Sequence, residues 1–482
     1  MNRVFSLSFD NGVEFIAKIP FYIAGPKHFS TASEVATLDY LRTELGVRVP
    51  NVRAWCSRAE STPVGTEYIM YDKIPGVPLY QHETELPMEK DPYVDILPPI
   101  QSLESALARI YFSQIGSIYY KADVSESLRD RPLYDDMPLS ANSARFCIGP
   151  TVNCEFWRGE RATLDIDRGP WSDVHSYMFA LAACARASIS ASPDPSTDDE
   201  YLRLISVYES MVPHIAPLRT EYILAHPDLH ASNIITTETT DPCKITGIID
   251  WQGALIAPYY AQLSTPPAFA SEEFPVFDDT PEHGPELPEG VDDLPAKEKQ
   301  LAHLAHRRLR RQWLYEVRMR EYNPFLADHL YNLMTGVVAM RMVTYPGIHI
   351  TRGRVEGLAF LQNSFLISRK VWNLSVGVDE NGAPLVPCPL DISEADEQRI
   401  SEECERVRLE VSMADEVLQS LQIPRDAEGM VGVDDYEAAK VAVEEARQAI
   451  LGNATSQEER DRLERAWPLQ DGKFSLMAER CC

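Results

Sequence analysis

The stretch His226-Pro227-Asp228-Leu229-His230-Ala231-Ser232-Asn233, continued by Ile234-Ile235 and then by Gly247-Ile248-Ile249-Asp250-Trp251, decides how this chain is read. An aspartate and an asparagine share one polar loop, and a short apolar run then ends on a second aspartate. Phosphoryl transfer calls for this combination of groups. Asp228 is suited to orient the proton of an attacking hydroxyl. Asn233 offers a cation a neutral oxygen, and Asp250 a charged one at the end of a strand. Mg²⁺ prefers such oxygen ligands. Two other readings compete. One is a loop whose Asp and Asn side chains bond their own backbone. The other is a zinc cluster of His226, Asp228 and His230, although alternating residues share a face only on a strand and no third segment supplies a ligand.

Upstream text has the matching order. Phe5, Leu7 and Phe9 alternate as a strand does, Asp10-Asn11-Gly12 signals a hairpin, and Val13–Ile19 forms a second strand ended by Pro20. Lys18 lies on that strand in Ile16-Ala17-Lys18-Ile19, the form of a phosphate-pairing lysine. Thr31-Ala32-Ser33-Glu34 opens a helix with Val35, Leu38 and Leu41 on one face, so that Glu34 is within reach of Lys18. Strands are expected over Val52–Ser57 and Tyr68–Tyr71, the latter broken by Ile74-Pro75-Gly76-Val77-Pro78.

These segments, with Ala24-Gly25-Pro26, Gly65-Thr66-Glu67-Tyr68-Ile69-Met70, Phe156-Trp157-Arg158-Gly159-Glu160-Arg161 and Asp167-Arg168-Gly169-Pro170-Trp171, resemble the aminoglycoside phosphotransferase and choline-kinase-like family. Within it they resemble the fungal branch that includes the "altered inheritance of mitochondria" proteins. The resemblance implies an α+β, two-lobed protein-kinase-like fold and a phosphotransferase that uses ATP and Mg²⁺ on the hydroxyl of a small molecule. It implies an N-lobe over residues 1–78, a C-lobe over 79–386 and a helical hairpin over 387–482. Carried over by position, Lys18 contacts the nucleotide phosphates, Glu34 holds Lys18, and Met70, Tyr71, Asp72 and Ile74 lie in the hinge that receives adenine. Asp228 becomes the catalytic base, Asn233 and Asp250 the metal ligands, and His226 a brace for the loop.

Pro227 stands where many protein kinases carry Arg, Trp251-Gln252 follows Asp250 in place of Phe-Gly, and no Ala-Pro-Glu signal follows. These departures favour small-molecule acceptors. The family pattern also places a first strand and a Gly-rich phosphate loop before Asn2-Arg3-Val4-Phe5, which leads to an expectation of an incomplete N-lobe. A catalytically impaired, nucleotide- or ligand-binding protein is the alternative function on that ground.

The chain has 482 residues, with 45 Lys and Arg against 73 Asp and Glu, a net charge of −28. Phosphate surfaces repel such a molecule, which argues against nucleic acid or anionic lipid as its main partner. Nine cysteines without a CxxC pair fit a reducing compartment. No apolar run is long enough to span a membrane. The N-terminus carries neither a secretory nor an import pattern, so the expected location is the cytoplasm, with mitochondria as the alternative.

Leu103, Leu107, Ile110, Ile115 and Ile118 predict one amphipathic helix, residues 201–219 another, and 296–370 a helical run; residues 266–295 read as an extended acidic surface segment. Trp157, Arg161, Asp165, Asp167 and Trp171 either line a pocket for a cationic or polyhydroxyl acceptor or form a packed loop. In the tail, Ile400, Cys404, Val407, Val411, Ala414, Leu418 and Leu421 form a heptad seam, continued by Tyr436, Ala439, Val443, Ala446 and Ile450. It predicts a hairpin that packs on itself or the main body, or a dimer seam; monomer and dimer both fit.

Overall fold

The computed structural model describes the chain except residues 1, 22–24, 84–90, 136–143, 240–241, 263, 272–283, 325–326, 328–343, 353–356, 421–435, 455, 458–459, 461–462 and 465–482, and except the side chains of 83, 297, 407, 409–420 and 436. The fold is α+β. Strands β1 (Asn2–Ser8), β2 (Glu14–Pro20), β3 (Val52–Cys56) and β4 (Tyr68–Asp72) form an antiparallel sheet of order β1-β2-β4-β3. The turn between β1 and β2 closes through Phe9 and Val13, with Gly12 in the left-handed region that Asn-Gly turns favour. In this register Lys18 lies between Val4 and Ile69.

Helix α1 (Phe29–Thr43) packs against this sheet and against a hairpin of β6 (Ser117–Tyr120) and β7 (Phe146–Gly149). It is therefore buried on several faces, Ala32, Leu38 and Leu41 included. It begins two residues before Thr31. Its start is closed by Glu67, whose carboxylate accepts from His28 N–H at 3.0 Å and Thr31 Oγ1 at 2.7 Å.

After β4 the chain crosses to a second sheet. Strand β5 (Val77–Pro78) pairs with β9 (Ile234–Thr236), which pairs with β10 (Ile245–Ile248). Two glycines allow the crossing. A Cβ on Gly76 would meet Thr236 O at 2.0 Å, and one on Gly247 would meet Ile74 Cδ1 at 2.3 Å. Residues 70–74 are thus drawn against the strand that leads to Asp250.

The helix expected over Leu103–Ile118 divides. Helix α2 is Pro92–Leu107, started by Asp91, which accepts from Tyr93 N–H. Ile118 belongs to β6, and the backbones of Ile115 and Gly116 bond Trp171 and Ile256. Tertiary pairing overrides the helical spacing here, because Gly116 alone permits the approach: a Cβ would lie 2.5 Å from Gly149 O. Helices α4 (Val174–Ala191) and α5 (Asp198–Ile215) pack together, and the helix expected at 201–219 is α5. A small pair, β8 (Tyr222–Leu224) and β11 (Ile256–Pro258), flanks the 226–250 stretch.

Helix α7 (Ala296–Tyr322), counting α3 (Glu126–Arg129) and α6 (Tyr259–Gln262), lies on α2. Residues 344–352 are helical, followed by α8 (Leu358–Lys370) and α9 (Trp372–Val376). In the tail, α10 (Glu394–Ser420) sets the buried Ile400 and Cys404 on α8, and α11 (Tyr436–Gly452) buries Ala439 and Leu451. The seam positions Val407, Val411, Ala414, Leu418, Leu421 and Tyr436 lie outside the described side chains. No helix among the described residues is long and apolar enough to cross a membrane.

The junction of α7 with α2 includes a buried ion pair beside hydrogen bonds from Gln101 to Tyr315 O and from Tyr315 to Glu104. Arg311 Nε and Nη2 donate to the two oxygens of Asp91 at 2.7 and 2.9 Å, and the guanidinium lies 3.4 Å from the Tyr93 ring centre. Asp91 also caps α2, so removing Arg311 leaves a buried carboxylate at a helix start. Arg311→Ala is expected to cost about 3–5 kcal/mol in urea unfolding, and Arg311→Lys to recover only part of it because a single ammonium cannot make the paired bonds.

Candidate functional site

Lys18 stands at the centre of the site. Its Nζ donates to Glu34 Oε1 at 2.7 Å and Oε2 at 3.0 Å, and to Asp250 Oδ1 at 2.6 Å. Lys18 and Glu34 are almost fully buried, whereas the Asp250 side chain is 38% exposed. Burial alone would strip the charge from Lys18. The carboxylates of Glu34 and Asp250 outweigh it and hold the ammonium protonated, with its pKa above the usual range. Burial likewise works against the Asp250 carboxylate, but Lys18 prevails and keeps its pKa below the ordinary value. Asp250 has φ 60°, a left-handed conformation uncommon for a residue with a Cβ.

Loop 226–233 is tied to the same place through backbone. His226 Nε2 donates to Ile249 O at 2.9 Å, and Ile249 N–H donates to Asn233 O at 2.9 Å. These two bonds straddle the loop and fix the residue before Asp250. His226 Nδ1 accepts from Asp228 N–H at 3.1 Å, so Nε2 carries the ring's hydrogen. The ring meets Trp251 edge to face at 4.6 Å, and Trp251 is fully buried. Asn233 is buried and turns its Nδ2 to Asp228 O at 2.9 Å, leaving Oδ1 as the amide's acceptor atom. Asp228 Oδ2 lies 3.3 Å from His230 Nε2, and the side chain is 41% exposed. Among the described residues no three His, Cys, Asp or Glu side chains are grouped to hold a metal ion.

The 70–74 segment contributes in two ways. Tyr71 has its phenol pushed up to about 12, chiefly by burial, with Glu34 and Asp250 adding to the effect and Lys18 opposing it. Its side chain therefore belongs to the charged cluster, which the hinge reading by backbone did not include. Asp72 is engaged elsewhere, bonded by Arg53 at 2.7 and 2.6 Å and by Asn51 at 3.0 Å. Met70 pairs with Ala17 and Ala54 inside the sheet, and Ile74 faces Gly247. Gln252 was also missed. It accepts from Asn2 Nδ2 at 2.8 Å, linking the strand β1 to the residues after Asp250.

The segment 157–171 is a packed loop. Trp157 Nε1 donates to Thr151 O, Trp171 Nε1 to Asp167 Oδ2, and Arg168 stacks 3.9 Å from the Trp157 ring centre. Arg161 is buried and donates to the backbone of Glu155 and Thr351. Asp167 is thereby held within the loop.

Residues 162–315 match the model of the phosphotransferase enzyme family. The resemblance read from the sequence stands on this match and on fungal relatives. A subtelomeric hrmA-associated cluster protein of Aspergillus fumigatus is 28% identical, over 99% of this chain and 96% of that protein. Altered inheritance of mitochondria protein 9, mitochondrial, of Eremothecium gossypii is 26% identical over 77% of this chain and 64% of its own length. Among solved structures, the GDP complex of aminoglycoside 2'-phosphotransferase-IIIa aligns with a TM-score of 0.30 and 13% identity, over 77% of this chain and 92% of that one.

Two outcomes follow from the site's charges. Lys18→Met leaves two carboxylates without their cation and is expected to lower stability by about 3–5 kcal/mol near neutral pH. Asp250's depressed pKa contributes stability above the usual carboxylate range and loses it as pH falls, so the gap from wild type narrows in acid; chemical denaturation across pH measures this. His226 has its pKa driven down to about 4, mainly by burial, from 6.5. Between these values the unfolded chain binds a proton that the folded one refuses, so stability falls as pH drops through that window. His226→Asn is expected to flatten this dependence by about 1–3 kcal/mol while weakening the protein at neutral pH.

Proposed function

We propose that the protein is an ATP- and Mg²⁺-dependent phosphotransferase acting on a hydroxyl of a small molecule, with a two-lobed kinase-like arrangement. The convergence of loop 226–233 with Ile249-Asp250 beside the Lys18–Glu34 pair carries this reading. The donor set fits a hard divalent cation: the half-exposed Asp250 carboxylate and the Asn233 amide oxygen supply oxygen ligands only. When bound, Mg²⁺ neutralises charge on the phosphates and the transferring group.

The remaining roles belong to the chain. Lys18 positions the α- and β-phosphates, Glu34 keeps its ammonium in place, and residues 70–74 receive adenine beside Gly247. Asp228, exposed and held by backbone bonds through His226 and Asn233, accepts the proton of the acceptor hydroxyl as it attacks. His226 keeps this loop rigid as a neutral ring. The acceptor is a small molecule that carries a hydroxyl.

One observation favours the second reading, a nucleotide-binding protein without turnover. Lys18's three protons are already matched by three carboxylate contacts, so phosphates must displace Asp250 from it. Transfer from γ-labelled ATP to a panel of hydroxyl metabolites separates the two. Wild type is expected to label an acceptor, and Asp228→Asn to lose roughly 10²- to 10⁴-fold in kcat while keeping its ATP-induced thermal shift. A thermal shift with no labelled acceptor supports the binding protein, and equal turnover in the variant removes Asp228 from the mechanism.

A further inference from the structure

A second cleft opens at the start of α1, with a volume of about 420 Å³. It is lined by His28, Phe29, Arg58, Asp123, Leu128 and Arg129, among others, and none of these belongs to the Lys18–Asp250 cluster. The volume falls in the range of small-molecule pockets.

Its polar groups are incompletely matched. His28 Nε2 lies 3.1 Å from Asp123 O and 3.2 Å from Arg58 Nη2, while Nδ1 lies 2.8 Å from Ser57 Oγ. A single ring nitrogen cannot donate to the carbonyl and accept from the guanidinium at once. One of the two contacts at Nε2 is therefore not a hydrogen bond. Arg58 Nη1 stands 3.8 Å from Asp123 Oδ1, beyond a hydrogen bond, and its side chain is 51% exposed. Arg129 is pinned by Val124 O, which accepts from Nε at 3.3 Å and Nη2 at 3.2 Å. Among the described residues, the acid nearest its Nη1 is the solvent-exposed Glu126 at 4.0 Å.

Arg58 thus faces the partly buried Asp123, and Arg129 the exposed Glu126, neither at hydrogen-bond distance. Burial raises the pKa of Asp123 against the opposing pull of His28 and Arg58. Both guanidinium groups line one cleft on a chain of net charge −28. Phe29, Val124, Leu128 and Pro150 give the cleft an apolar side. His28 also holds φ 67°, a left-handed backbone that a β-carbon disfavours and that surrounding contacts must sustain.

We propose that this cleft binds a small organic oxyanion, a phosphate monoester or a carboxylate with an apolar body, between Arg58 and Arg129. The oxyanion accepts from both guanidinium groups and releases His28 Nε2 to donate to Asp123 O. The apolar body lies along Phe29 and Leu128.

Calorimetric titration of the full chain with phenyl phosphate, benzoate and inorganic phosphate tests this. At least one of the two aromatic probes is expected to bind in the millimolar range or tighter, and more tightly than inorganic phosphate; tighter phenyl phosphate identifies a monoester site, and tighter benzoate a carboxylate site. Arg58→Gln and Arg129→Gln are each expected to weaken binding by roughly tenfold or more, the loss of a charge-assisted bond. Arg58→Glu is expected to abolish it, and Arg203→Gln, on α5, to leave it unchanged. Circular dichroism checks folding, and the exposure of Arg58 makes its variants the decisive ones. Failure of both aromatic probes to bind, wild-type affinity in Arg58→Gln, or inorganic phosphate binding as tightly as the better of the two aromatic probes overturns the proposal.

Discussion

The Lys18 ammonium is the point on which three parts of the chain meet. It lies on β2, Glu34 on α1, and Asp250 comes 232 positions later, just past β10. An isolated buried ammonium is too costly to keep. Two carboxylates at hydrogen-bond distance make it tolerable. Glu34 is buried, which raises its pKa, whereas Asp250 keeps contact with solvent. The arrangement holds the first sheet, its helix and the second sheet in one register while leaving one carboxylate open to a cation from outside.

The neighbouring loop is held by a different kind of force. Its bracing bonds run through backbone groups, a neutral imidazole and an amide: His226 to Ile249, Asp228 N–H to His226, Asn233 to Asp228, and Ile249 to Asn233. None uses the Asp228 carboxylate. These bonds are therefore carried by atoms other than the Asp228 carboxylate, which stays partly exposed beside His230 Nε2 at 3.3 Å. A charged His226 would disturb this bracing, since a protonated Nδ1 could no longer accept from Asp228 N–H. Its packing on Trp251 and its burial keep the ring neutral.

Much of this was legible in the residues. The order strand lysine, helix glutamate, Asp-Asn loop and strand-borne aspartate brought Lys18, Glu34, Asn233 and Asp250 under notice, and the structure gathers them through direct or backbone contacts. What stayed hidden depends on partners far away in sequence. Helix α1 starts early because Glu67 caps it from another element, and no local capping signal records that. Ile115 and Ile118 keep helical spacing yet enter backbone pairing with Trp171 and Ile148, where Gly116 admits a neighbouring strand. Tyr71 carries no motif of its own, and its place in the cluster follows from the facing register of β2 and β4. Asp167 suggested an acceptor contact by charge alone, whereas the structure also gives it a local role, each oxygen accepting one bond, from Gly169 N–H and Trp171 Nε1.

The two glycine contacts explain why the sheets, though separate, act on one cleft. Gly76 lets the chain pass against Thr236 O, and Gly247 makes room for Ile74, so residues 70–78 bridge β4 and β9 without a bulky side chain between them. Arg48 adds a second tie, its carbonyl accepting from Ile248 N–H at 2.8 Å and its Nη1 donating to Ile245 O at 2.8 Å. Strand β10 is thereby fixed from both sides immediately before Asp250. A carboxylate at the end of so constrained a strand has little freedom to follow a ligand by backbone movement. Any exchange of Lys18 for a cation at Asp250 must then fall to the flexible lysine side chain, whose remaining contacts with Glu34 keep it from leaving the cleft.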